Sequence, residues 1–131
     1  MASWLITCSR NYLKPVYDYF HRKLLKRHFL MADETLSKVL KEPDRRPQSK
    51  SYVWLMRSGE YRLPPIVLYH YSETRAGEHA VRFLKGIEDG AYVMSDGYSG
   101  YNKLKTIRRC CCYAHIRRYL ISAKWVLSIV D

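Results

Sequence analysis

Phe29-Leu-Met-Ala-Asp33 and Tyr92-Val-Met-Ser-Asp96 are the two stretches on which the fold turns. Each is a short run of apolar or small residues ending in an aspartate, the pattern of a buried strand that delivers an acid to the edge of a sheet. Glu34-Thr35 follows the first, and the glycine-tyrosine turn Gly97-Tyr-Ser-Gly-Tyr101 follows the second. Side by side and parallel, two such strands bring Asp33 and Asp96 together, and converging acids make a site for a hard divalent cation. Aspartate also caps a following turn or helix, so the pattern leaves both uses open. Glu34, one step along the strand, would face away from Asp33 and is the weaker ligand candidate.

Working outward, Leu13, Val16, Tyr17, Phe20 and Leu24 recur at helical spacing, which predicts an amphipathic helix to about Arg27 that starts near Leu13 or kinks there, because Pro15 suits a first turn. Residues 41–50 form a charged, proline-bearing loop. Tyr52-Val-Trp-Leu-Met56 and Ile66-Val-Leu-Tyr-His-Tyr71 read as strands two and three. His79, Ala80, Phe83, Leu84 and Ile87 mark a helix face, with Gly90 as its C-terminal cap. Tyr92–Ser95 is strand four, Ile107–Cys111 a short fifth strand, and Ala114 to about Val126 a final helix. Three strands on short loops form an antiparallel meander, and the crossover helix returns strand four parallel to strand one on the meander's free flank. That order describes a ribonuclease H-like α/β fold with a mixed sheet and flanking helices, and it sets Asp33 and Asp96 on adjacent strands.

The chain has 131 residues, one domain's length, with a 47% apolar fraction that supports a folded core. Its 23 Lys+Arg against 12 Asp+Glu give a formal charge of +11, which favours a polyanionic partner over a role for the lysines in solubility alone. From Gly97 to Val130 there are seven basic residues and no acid. An acid pair in a basic chain suggests chemistry on a phosphodiester. The four cysteines give no disulfide framework, since Cys110, Cys111 and Cys112 are adjacent, and they fit a reduced, cytoplasmic setting. No apolar run approaches a membrane span.

Cys112-Tyr-Ala-His115 has the spacing of a zinc half-site, but no second pair of that spacing exists, so a structural cysteine and histidine are expected and no zinc. Arg117 and Arg118 suit phosphate contact or a solvated helix face, and Arg108 and Arg109 belong to the same acid-free segment. Tyr98 and Tyr101, in the glycine-flanked turn, are candidates to stack on a base or bond a phosphate. Tyr52, Trp54, Tyr69 and Tyr71 alternate along strands and read as packing.

Ala32-Asp-Glu-Thr35, Val39-Leu-Lys-Glu-Pro43, Ser49-Lys-Ser-Tyr-Val-Trp54, Pro65-Ile-Val-Leu-Tyr69, Thr74-Arg-Ala-Gly-Glu-His79, Phe83-Leu-Lys-Gly86, Ser95-Asp-Gly-Tyr-Ser-Gly-Tyr-Asn102 and Cys112-Tyr-Ala-His-Ile-Arg-Arg118 together resemble a transposase of the insertion-sequence-66 family, in order from about Leu13 to Ala123. The resemblance implies a bacterial DNA transposase with a ribonuclease H-like core and three acidic metal ligands, of which Asp33 matches the first and Asp96 the second. It implies magnesium, or manganese in its place, and as partners the DNA of insertion-element ends, with self-association or association with a full-length transposase. Departures set further expectations. The family's third acid lies beyond the Cys112–His115 motif, residues 124–131 no longer resemble the family, its N-terminal zinc-binding and DNA-recognition parts are missing, and His70 stands where an aspartate is common. The expected organisation is one partial catalytic domain over 1–131, with a leading helix at 1–27, a core at 28–123 and a non-family tail at 124–131. Its metal would be weakly held or absent, and the chain inactive alone. The alternative is a non-catalytic basic chain that binds DNA or interferes with a full-length transposase.

Overall fold

The computed structural model describes residues 2–40, 43–59 and 62–127. The elements run α1 (Ala2–Cys8), a π-helical turn (Ser9–Leu13), α2 (Lys14–Leu25), β1 (Phe29–Lys38), β2 (Lys50–Ser58), β3 (Val67–Ser72), α3 (Gly77–Phe83), β4 (Tyr92–Ser95), a 3₁₀ turn (Ser99–Lys103), β5 (Arg108–Cys111) and α4 (Tyr113–Leu127). The strands form one sheet in the order β3-β2-β1-β4-β5. β1 and β2 pair antiparallel, as do β2 and β3, whereas β4 runs parallel to β1 and β5 parallel to β4. This is the ribonuclease H-like arrangement read from the sequence: a meander, then a helical crossover that brings β4 against the free side of β1.

The core lies on one face of the sheet. Leu30 and Ala32 of β1, Trp54 and Met56 of β2, Leu68 of β3 and Val93 of β4 are buried with Leu24 of α2, Ala80 and Phe83 of α3, and Leu84, Ile87 and Tyr101. Full burial of a large aliphatic side chain stabilises by about 1.5–3 kcal/mol, so this cluster fixes the sheet on which the site is built. The Trp54 indole donates to Ser72 Oγ at 2.7 Å, which satisfies the polar atom that its burial would otherwise strand. His21 Nε2 of α2 donates to the Phe83 carbonyl at 2.6 Å and ties α2 to the end of α3.

Several boundaries differ from the sequence reading. Helical structure extends back past Leu13 to Ala2, within the leading segment 1–27, and Pro15 sits in the first turn of α2 directly after the π-helical turn. Leu13 is itself helical and the Lys14 N–H donates to the Ser9 carbonyl, so the proline, with no N–H to give, sits where the helix passes from the π-helical to the α-helical pattern. β1 continues past Asp33 to Lys38 because its second half pairs with β2, down to Lys38↔Lys50. Asp33 is therefore an interior strand residue rather than a terminal one. α3 stops at Phe83, and the chain then turns through Gly86 at φ 87° and Gly90 at φ 78°, so Gly90 opens the approach to β4 instead of capping the helix. Residues 41–42 of the charged loop and 128–131 of the tail, Asp131 among them, lie outside the described residues.

Candidate active site

β1 and β4 are in register as Phe29↔Tyr92, Leu30↔Val93 and Met31↔Met94. Alternation buries Leu30 and Ala32 and turns Met31 and Asp33 to the opposite face. The same alternation buries Val93 and Ser95, leaving Met94 and Asp96 on the side of Asp33. Asp33 and Asp96 line one cleft of about 220 Å³ together with Met31, Ala32, Leu55, Arg57, Met94, Cys112 and His115.

Asp96 is held firmly. Its Oδ1 accepts the Tyr98 backbone N–H at 2.9 Å, its carbonyl accepts Arg109 Nη2 at 3.0 Å, and its side chain is only 14% exposed. Arg109 also donates to Asn102 Oδ1 and so braces the loop from Asp96 to the 3₁₀ turn. Asp33 is exposed, and its Oδ1 accepts the Glu34 backbone N–H at 3.0 Å.

Glu34 points to the core face, as strand alternation requires, yet it belongs to the same local network. Its side chain is 1% exposed and takes Arg75 Nε at 2.8 Å on Oε1 and the Tyr101 hydroxyl at 2.8 Å on Oε2. Arg75 Nη2 reaches Asp96 Oδ2 at 3.5 Å, and the guanidinium lies 4.2 Å from the centroid of the Tyr98 ring. Burial raises the Glu34 pKa, opposed by the hydrogen bonds from Arg75 and Tyr101, while the Asp96 charge adds to the rise. Burial also raises that of Tyr101, reinforced by the Glu34 carboxylate beside its hydroxyl.

The remaining sequence candidates divide. Tyr101 is fully buried, edge-on to Trp54 at 5.9 Å between centroids, so its ring is no platform for a base. Packing against the core, not the glycine turn, governs this residue. Tyr98 is half-buried, with its hydroxyl donating to the Arg75 carbonyl and one face covered by the Arg75 guanidinium. Arg108 is exposed and donates to the Tyr92 hydroxyl at 2.9 Å, whereas Arg109 serves the Asp96 loop. Arg117 and Arg118 stand exposed on α4. Cys112 precedes α4 and His115 lies in its first turn, both beside the acids, and His115 Nδ1 is buried with no hydrogen-bond partner among the described residues. Sequence reasoning missed Arg57, which lines the cleft, and Arg75, whose position in a loop gave no periodic signal.

Among the described residues, no three His, Cys, Asp or Glu side chains are grouped to hold a metal ion. No helix among those residues is long and apolar enough to cross a membrane. The family model described as Transposase IS66 family matches residues 1–128, reaching further at both ends than the Leu13–Ala123 span that carries the resemblance in the sequence. No curated protein and no solved structure matches the chain.

Proposed function

Since the chain belongs to the IS66 family of transposases, we propose that Asp33 and Asp96 serve divalent-metal-dependent cleavage and strand transfer of DNA at the ends of an insertion element. The observation that carries this reading is the shared cleft: two carboxylates from neighbouring parallel strands, on one face of the sheet, with Arg57 beside them. The carboxylate pair fits magnesium, which is commonly held by one or two carboxylates and completes its octahedron with waters and substrate phosphate. When bound, such an ion activates the attacking oxygen and stabilises the leaving one.

The chain's own residues would prepare that chemistry. Tyr98 N–H and Arg109 fix the Asp96 carboxylate and its loop, which holds the acid in a single geometry before substrate arrives. Met31, Leu55 and Met94 give the cleft apolar walls that limit water. Arg57 supplies positive charge to a phosphate entering the cleft. Exposed Arg117 and Arg118 on α4 offer backbone contacts outside it. The apolar residues exposed along α1, the π-helical turn and α2, among them Trp4, Leu5, Tyr12 and Phe20, support self-association or pairing with a full-length transposase.

Two carboxylates hold magnesium weakly, so we expect the chain alone to bind DNA without cleaving or joining it at a measurable rate. The test measures affinity for element-end duplex by fluorescence anisotropy, with and without manganese, alongside nicking. Manganese should tighten DNA binding, Asp96→Ala should abolish that increment, and neither protein should nick. An increment that survives Asp96→Ala would remove the acids from the function and leave the second reading, a basic DNA-binding chain resting on Arg117 and Arg118. Nicking by the native chain that disappears in Asp96→Ala would instead raise it to a complete catalyst.

A further inference from the structure

Arg75 places a permanent positive charge against Asp96, and the way it is anchored bears on how the proposed site takes up its ion. Resting on the metal reading above, we infer that Arg75 holds down the affinity of Asp96 for a divalent cation, so that the ion is taken up together with a DNA phosphate and not ahead of it.

Both oxygens of Asp96 are already engaged. Oδ1 accepts the Tyr98 N–H at 2.9 Å, and Oδ2 faces Arg75 Nη2 at 3.5 Å. The contact at Oδ2 is the longer one because the guanidinium is anchored elsewhere. Two of its nitrogens donate to Glu34 Oε1, and its plane rests on the Tyr98 ring at 4.2 Å. The Tyr98 hydroxyl in turn donates to the Arg75 carbonyl, which fixes the backbone beneath the side chain.

This anchoring separates a cation that blocks from one that positions. Asp96 is oriented by the Tyr98 backbone N–H and by Arg109 at its carbonyl, and neither bond is made by the Arg75 side chain. Glu34 depends on Arg75 strongly: its side chain is 1% exposed, and withdrawal of the guanidinium would leave a buried carboxylate with the Tyr101 hydroxyl as its one side-chain donor among the described residues. The guanidinium therefore stays in place when a divalent ion approaches Asp96, and like charges repel across a short distance beside a carboxylate that is only 14% exposed. A phosphate brings negative charge of its own. Its arrival offsets the repulsion and lets ion and DNA load as a unit, which guards against a metal-charged site with no substrate.

Manganese binding to the full chain without DNA, followed by the loss of the free-ion electron paramagnetic resonance signal, is the test. Arg75→Gln removes the charge while keeping donors for Glu34, and Glu34→Gln/Arg75→Gln keeps a neutral pair in the same place should the single variant unfold. Both should bind manganese about tenfold tighter than the native chain, the order expected from removing one charge near a divalent ion. Arg75→Lys keeps the charge and should stay at the native affinity. Adding Asp96→Asn to either Gln variant should erase the gain. Gln variants that bind no tighter, or more weakly, while Asp96→Asn still weakens binding would overturn the inference alone and make Arg75 a positioning residue. Binding indifferent to Asp96→Asn would overturn the metal site and the inference with it.

Discussion

Glu34 carries its carboxylate in a place that water barely reaches, and the consequences can be followed at this one residue. Burial favours its protonated form, and the hydrogen bonds from Arg75 and Tyr101 recover only part of that penalty, so its pKa lies above the usual value of 4.5. A carboxyl with a raised folded-state pKa gives a contribution to stability that is fully present below the unfolded pKa and is lost as pH rises through the folded one. Ionised Glu34 is thus a cost at neutral pH. Glu34→Gln keeps an acceptor for the Tyr101 hydroxyl and frees an arginine that is 43% exposed and able to hydrate. The variant should melt higher than the native chain by a margin that widens as pH rises from the ordinary carboxylate range through the raised pKa of Glu34. A margin independent of pH, measured by calorimetry, would contradict this. The sequence showed that Glu34 faces away from Asp33, since strand alternation settles it. It could not show Arg75, because a side chain from a loop is brought to β1 only by the fold as a whole.

At the scale of elements, the decisive contact is between two backbones. The first turn of α3 lies against the 3₁₀ turn that follows Asp96, and a methyl group at Gly77 would stand 2.6 Å from the Gly100 carbonyl oxygen and 2.8 Å from its Cα. The stretch Thr74–His79 and the stretch Ser95–Asn102 thus dock on each other, linked also by Arg75 with Tyr98 and by Glu78 with Lys103. Their positions in the chain gave no hint of this, since nothing in either stretch marks it as the partner of the other. The burial of Tyr101 escaped notice for the same reason: it follows from the docking. Gly77→Ala should destabilise the chain by about 1–3 kcal/mol, the range for forcing extra volume into a packed contact. The backbone at Gly77 needs no positive φ, so the effect would be one of close approach. A urea midpoint unchanged by the substitution would show that the turns separate without cost.

For the whole molecule, the strand order was legible because it follows from loop lengths and a single crossover, both visible in the sequence. The face on which the acids sit was legible from alternation, and their shared cleft follows from the parallel pairing of β1 with β4. The inclusion of Cys112 and His115 in that cleft was not, because it depends on where α4 starts after β5. The net charge of +11 acts at this scale too. Replacing Arg117 and Arg118 with alanine should weaken binding to any duplex sequence and flatten the dependence of log affinity on log salt by about 0.9 for each phosphate that is no longer neutralised. An unchanged slope would assign these arginines to the protein's own surface.

The claim that Asp33 and Asp96 together hold a divalent ion is tested most directly by crystals of the full chain grown with manganese and short duplex DNA, with anomalous scattering recorded at the manganese edge. The account predicts an anomalous peak in the cleft, within bonding distance of a carboxylate oxygen from Asp33 and one from Asp96, and its loss in Asp96→Asn. Ordered DNA with no peak between the two aspartates, or a peak on Cys112 and His115 in their place, would contradict it.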